Sequence, residues 1–149
     1  MSVSLRIRNA LLNPAWVAFT WLGMVIGVSM IATPMRFAAE TITRPVALDV
    51  GRVVFAAFKK GEVLALLVLL AVVRFAGSSH VLWAWCAVLT LIVLAQGVWL
   101  IPELAARTDL ILAGAEPPAS PAHAIYASLE LAKMAILLFI GGRSLAARS

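Results

Sequence analysis

The stretch that most constrains this chain is residues 49–74, DVGRVVFAAFKKGEVLALLVLLAVVR. Its second half is as apolar as a membrane helix, yet Lys59, Lys60 and Glu62 interrupt the run. The uncharged remainder, residues 63–73, is eleven residues long, whereas a span needs roughly 20. Either this helix carries three charges into a bilayer or it does not cross. Composition favours crossing. The chain is 63% hydrophobic and 13% charged, with a mean hydropathy of +1.02, against about 45–50% and about 25% in soluble domains. The expectation is an all-α, polytopic membrane protein. Its 149 residues suffice for a single membrane domain of four transmembrane helices in an antiparallel bundle.

The net charge of +5 does not point to nucleic acid, because no basic run exceeds two residues. The lone Cys86 excludes an intramolecular disulfide or a CxxC site and suits a small packing residue. The expected partners are the lipid bilayer and either further copies of this chain or a larger membrane complex.

Residues 1–12 carry Arg6 and Arg8 among scattered Leu and Ile, in keeping with a short interfacial helix. Asn13-Pro14 reads as an N-cap and first helical residue, opening helix 1 over residues 14–35. Its apolar run lacks a small-x-small cleavage site, so it reads as a retained anchor. Gly23 and Gly27 form a GxxxG on the face of Thr20, Met30 and Pro34. That pattern admits a second backbone closely, and its alternative is a permeation face lined by small residues.

Helix 2 is expected over residues 47–76, stopped by Gly77, with Ser78 or Ser79 capping helix 3 over residues 80–101. So short a turn makes helices 2 and 3 antiparallel neighbours. Trp83 and Trp85 at one end of helix 3 and Trp99 at the other form the aromatic belts of the two interfaces. Gln96 and Thr90 are its polar interruptions. Pro102 ends or kinks it, and Glu103 and Arg107 are spaced for an i,i+4 pair. After a connector containing GAEPPASP, Ser120-Pro121 repeats the capped proline start, and helix 4 runs over residues 121–142 to Gly141-Gly142.

Four spans put Arg6, Arg8, Arg74, Arg143 and Arg148 on one side with no acid, and Arg36, Arg44, Arg52 and Arg107 among five acids on the other. The positive-inside bias then places both termini in the cytoplasm of a bacterial inner membrane.

In that topology Glu62, near the middle of helix 2, shares its depth with Glu130 and Lys133, near the middle of helix 4. A charge at mid-span costs roughly 2.5–3.5 kcal/mol. Lys59, Lys60, Glu62, Glu130 and Lys133 facing lipid would cost on the order of 12 kcal/mol, so they require partners. Lys59 or Lys60 can reach Glu130, and Glu62 can reach Lys133. Pairs three apart within each helix are the fallback. His123, Tyr126, Glu130 and Lys133 share one stripe of helix 4, and Asp49, Arg52 and Lys59 share a face of helix 2. Lys60 points elsewhere, to snorkel or to face a neighbouring protomer. The reading is one polar seam between helices 2 and 4, with Asp49, Arg52, His123 and Tyr126 as a second polar group at its outer end.

The seam is either structural, fixing which helices meet, or a path for an ion, a proton or a small polar solute. Intramembrane ionisable residues point to the latter by default. An offset of 68 aligns Pro34 with Pro102, Phe58 with Tyr126 and Glu62 with Glu130, the spacing of a tandem repeat of two helix hairpins. His80 and His123 lie at opposite faces and cannot share a haem. A metal among His123, Glu130 and Glu62 would be repelled by Lys133. No nucleophile elbow, P-loop or glycine fingerprint occurs, so neither an enzyme nor a resident cofactor or metal is expected.

Pro34-Met35-Arg36-Phe37, Gly51-Arg52 with Phe55 and Glu62, Trp99 followed by Pro102 and Arg107, and His123-x-x-Tyr126-x-x-x-Glu130-x-x-Lys133 together resemble a family of small four-helix bacterial membrane proteins of unknown function. That family is distantly similar to the eukaryotic transmembrane protein linked to platinum-drug resistance. The resemblance implies a four-helix membrane domain, makes His123 the most transferable position, and hints at transport. The function expected is small-solute or ion handling along the seam, with a non-transporting accessory or assembly subunit as the alternative.

Overall fold

The structure is a computed structural model describing residues 11–147. Four long helices account for most of them: α1 (Pro14–Ala38), α2 (Arg44–Phe75), α3 (His80–Leu112) and α4 (Ala122–Ala146). No strand occurs among the described residues. α1, α3 and α4 are long and apolar enough to cross a membrane. α2 is the longest run without an interruption, and its charges set it apart from those three. The expected interfacial helix lies outside the described residues.

Local signals explain the starts and turns. Asn13 accepts a hydrogen bond from the Ala15 amide at 3.0 Å, ahead of Pro14. Gly77 takes the left-handed conformation, φ 64°, that closes the α2–α3 turn without a Cβ penalty. Ser79 occupies the N-cap position of α3, but its side chain makes no cap bond. Pro121 occupies the N-cap position of α4, and the hydroxyl of Ser120, one residue earlier, accepts from the Ala122 amide at 3.2 Å.

The helix ends differ from expectation for one recurring reason. Pro102 does not terminate α3. A wide, π-helical stretch, Ala95–Leu100, precedes it, and the helix continues as Ile101–Leu112. A proline ring collides with the carbonyl four residues back, and one wide turn relieves that collision. α1 does the same with Ile26–Ala32 before Pro34. The defining i−5 bonds run from the Thr33 amide to Val28 and from the Ile101 amide to Gln96. The two pairs are related by the same offset of 68 that aligns Pro34 with Pro102. At the other end, Gly141 and Gly142 do not stop α4, which runs on to Ala146.

α1 packs on α2 and α4, and α3 packs on α2 and α4. α2 and α4 therefore face one another across the central axis, as do α1 and α3. The offset of 68 also relates buried positions: Ala18 with Cys86, Trp21 with Leu89, Val25 with Val93, Glu62 with Glu130, Leu69 with Leu137 and Val72 with Ile140. The hairpin α1–α2 and the hairpin α3–α4 thus present equivalent faces to the axis.

Two apolar clusters stack along that axis. The larger, built on Trp21, Leu69, Leu89, Leu137 and Ile140, fills the half nearer the Gly77 turn. The smaller, Leu100, Ala122 and Tyr126, lies toward the connectors 39–43 and 113–121. Gly141 has no room for a side chain, because a Cβ there would come within 2.6 Å of the Phe19 ring. Gly23 and Gly27 behave differently. A Cβ on either would meet nothing within 4 Å, so among the described residues no backbone packs on the GxxxG face.

Leu137 is wholly buried in the larger cluster, and its neighbour Leu138 is 58% exposed. Leu137→Ala should destabilise the protein by about 2–5 kcal/mol, and Leu138→Ala by well under about 1 kcal/mol. Thermal unfolding in detergent compares the two directly.

Candidate functional site

A single polar layer lies where the two apolar clusters meet, with Phe55 and Leu129 packed against both clusters. Every helix sends a side chain into it: Trp21 and Ser29 from α1, Lys59 and Glu62 from α2, Gln96 from α3, Glu130 and Lys133 from α4. At its centre is the Lys133 ammonium, wholly buried. It donates to Glu62 Oε1, to Glu130 Oε1 at 2.7 Å and to Gln96 Oε1 at 2.9 Å. These three bonds exhaust its donors.

Both carboxylates are as deeply buried as the lysine. Glu130 Oε1 also accepts from Gln96 Nε2 at 2.8 Å, and its Oε2 from the Ser29 hydroxyl at 2.9 Å. Glu62 Oε1 accepts from the Trp21 indole N–H at 3.1 Å. Glu62 Oε2 is the exception. It has no hydrogen bond, and its nearest cation is Lys59 Nζ at 3.6 Å. Lys59 is partly buried, and its Nζ is enclosed without a hydrogen-bond partner. Its stem lies against Gly97, where an added Cβ would come within 3.1 Å of Cε.

The expected members of the seam therefore divide. Lys59, Glu62, Glu130 and Lys133 come together, and Lys60 points out of the protein, exposed. Glu62 reaches Lys133 across the axis, whereas the remaining pairs are local: Lys59 with Glu62 and Lys133 with Glu130, each three residues apart. A direct bond from Lys59 or Lys60 to Glu130 is absent from the described contacts.

The second expected group does not assemble. Arg52 pairs with Asp49 at 2.7 Å and with Asp109 at 2.6 Å, so the shared face of α2 leads to α3. Tyr126 is buried, edge-on to Phe55 with ring centroids 5.7 Å apart. His123 is exposed and takes no part in either arrangement. Nor do Glu103 and Arg107 pair. Glu103 accepts from Trp99 at 3.1 Å and from Ser120 at 2.5 Å, and Arg107 donates to the Pro118 carbonyl. The helix continuing past Pro102 carries both residues toward the 113–121 connector, which supplies Ser120 and Pro118.

Trp21, Ser29 and Asp109 were not singled out in the sequence as site residues. Trp21 and Ser29 sit in an apolar run where an indole and a hydroxyl look like packing and interface groups. The signal that could have found them is positional: two buried carboxylates need more donors than one lysine supplies.

Along α3 the layer is off-centre. Gln96 lies about 20 Å from Trp83 but only about 5 Å from Trp99, at 1.5 Å per residue. The polar layer is thus one turn below the Trp99 belt rather than midway between the belts.

No known protein family, no curated protein and no solved structure matches the chain.

Removing one member of a buried ion cluster strands the others and costs about 3–5 kcal/mol, whereas replacing the whole by neutral groups is often nearly neutral. Lys133→Met should destabilise the protein by that amount. The quadruple variant Lys59→Met, Glu62→Gln, Glu130→Gln, Lys133→Met, which neutralises every charge of the layer, should recover most of the loss in thermal unfolding. Exchanging Glu62 and Lys133 should give no such rescue, because it would bring like charges against Lys59 and Glu130.

Proposed function

We propose that the chain is a four-span antiparallel bundle of a bacterial inner membrane, with both termini cytoplasmic, that handles protons or small monovalent cations at Glu62. α2 is counted as a span because Leu66, Leu69 and Val73 enter the same apolar cluster as residues of the three apolar helices. Its Glu62 faces the axis rather than lipid. Lys60 alone of the five interrupting charges is exposed, within reach of the Trp99-side interface for a snorkelling side chain.

The observation that carries the functional reading is Glu62 Oε2, buried, without a hydrogen bond and 3.6 Å from an equally unbonded Lys59. Two carboxylates and two ammonium groups leave the cluster neutral. A proton or a small cation arriving at Oε2 makes Lys59 superfluous, and Lys59 is the one cation of the layer that is partly exposed. Lys133, with all three donors engaged, keeps the carboxylates in place while Lys59 and the incoming cation compete. The larger apolar cluster lies on the other side of the layer, between it and the Gly77 turn. Access is therefore from the Trp99 side, with a conformational step required to reach the cytoplasm.

The second reading, an accessory subunit of a larger membrane complex, is favoured by the open Gly23/Gly27 face. Purified protein in liposomes under an imposed pH or cation gradient separates the two. Ion handling predicts a flux that Glu62→Gln lowers by about tenfold or more, since an ionisable group within a span is what the path requires. Lys59→Met should retain the flux and raise the apparent affinity for the cation. Vesicles that stay inert, from a preparation that retains a larger complex, would favour the accessory role.

A further inference from the structure

Arg36 stands apart from the other polar groups near the Trp99 side of the protein. It lies in the last turns of α1, only partly exposed, and its side chain crosses to α2. There the guanidinium lies on the backbone at Gly51. A Cβ added at Gly51 would fall well inside van der Waals contact with its Cζ and both Nη atoms. The guanidinium carbon is 5.2 Å from the centroid of the Phe37 ring and 5.5 Å from that of Phe55.

What this seat lacks is a counter-charge. Nε is buried without a hydrogen-bond partner, and no carboxylate among the described residues comes within ion-pair distance. Arg52, the residue that follows Gly51 on α2, by contrast holds two aspartates. Aromatic contacts stabilise the charge but use none of the N–H donors. A guanidinium fixed in orientation with its donors unspent matches an oxyanion that accepts two hydrogen bonds at once.

Height selects the oxyanion. The offset of 68 places Ile31 of α1 level with Trp99 of α3, and Arg36 is five residues, about 7.5 Å, beyond it. Headgroups extend about 5–7 Å beyond the hydrocarbon, so the guanidinium lies in the layer where phosphates are concentrated. We propose that Arg36, seated on Gly51 between Phe37 and Phe55, binds a phosphate-bearing anion. This chemistry is met by a phospholipid headgroup or by a soluble phosphate, and it does not depend on the Glu62 layer.

The test uses the full chain in nanodiscs of zwitterionic phosphatidylcholine. Inorganic phosphate is titrated calorimetrically, and retention of phosphatidylglycerol from mixed nanodiscs is measured by native mass spectrometry. Binding of inorganic phosphate identifies a soluble-anion site, and selective retention of phosphatidylglycerol alone identifies a headgroup site. Either result supports the proposal when both Arg36→Lys, which keeps the charge but loses the fork, and Gly51→Ala, which blocks the seat, weaken it by about tenfold or more. Arg44→Gln, at an exposed arginine on the same side, should leave it unchanged. Absence of both interactions, equal binding by Arg36→Lys and Gly51→Ala, or an equal loss in Arg44→Gln would overturn it. Unchanged thermal unfolding of Arg36→Lys shows that any loss is not one of folding.

Discussion

The rest of this structure depends on one ammonium group held between two carboxylates. Lys133 binds Glu62 across the axis and Glu130 on its own helix. An ion so buried is stable only when every donor finds an acceptor, and all three do. The constraint propagates outward. Gln96 must face the axis to serve both Lys133 and Glu130, and Trp21 and Ser29 must face it to serve the carboxylates. The rotation of each helix about its own axis is thereby fixed by a layer of seven side chains. Apolar packing, which tolerates small rotations, would not specify it as tightly.

Much of this was legible in the sequence. The apolar content and spacing gave the helices, and Asn13-Pro14 and Gly77 marked a start and a turn where they occur. The shared depth of Glu62, Glu130 and Lys133 follows from counting residues along two helices that run in the same direction. What misled was punctuation. Pro102 and Gly141-Gly142 read as stops, but a proline is tolerated where a wide turn precedes it, and Gly141 sits within the helix where Phe19 fills the space a side chain would need. Pairing was also only partly legible. Lys59 and Lys60 are indistinguishable by composition, and one residue, or about 100° around the helix, decides which faces the layer. The partner of Arg52 was hidden for a related reason. Asp109 reaches it only because α3 continues beyond Pro102.

The repeat at 68 residues gains weight from geometry that no side-chain identity reveals. The two i−5 bonds, the two prolines and six pairs of buried positions all fall at that one offset. The symmetry is broken where the chemistry is. Lys133 corresponds to Ala65, and Gln96 to Val28. Two equivalent glutamates thus meet at an axis with a single lysine, supplied by one hairpin only. The imbalance is what leaves Glu62 Oε2 without a hydrogen bond while Glu130 is fully engaged.

The wide turns before Pro34 and Pro102 have a consequence for how such a protein can change. A π turn is equivalent to inserting one residue into a regular helix, so it resets the angular phase of everything that follows. The chain on either side of it is phased separately. Below the resets, α1 and α3 are aligned with the dry cluster, and above them with Tyr126, Phe55 and the connectors. The molecule is built in two storeys joined by a pair of slipped steps, and the upper storey can acquire new side chains or lengthen without turning the lower one out of register.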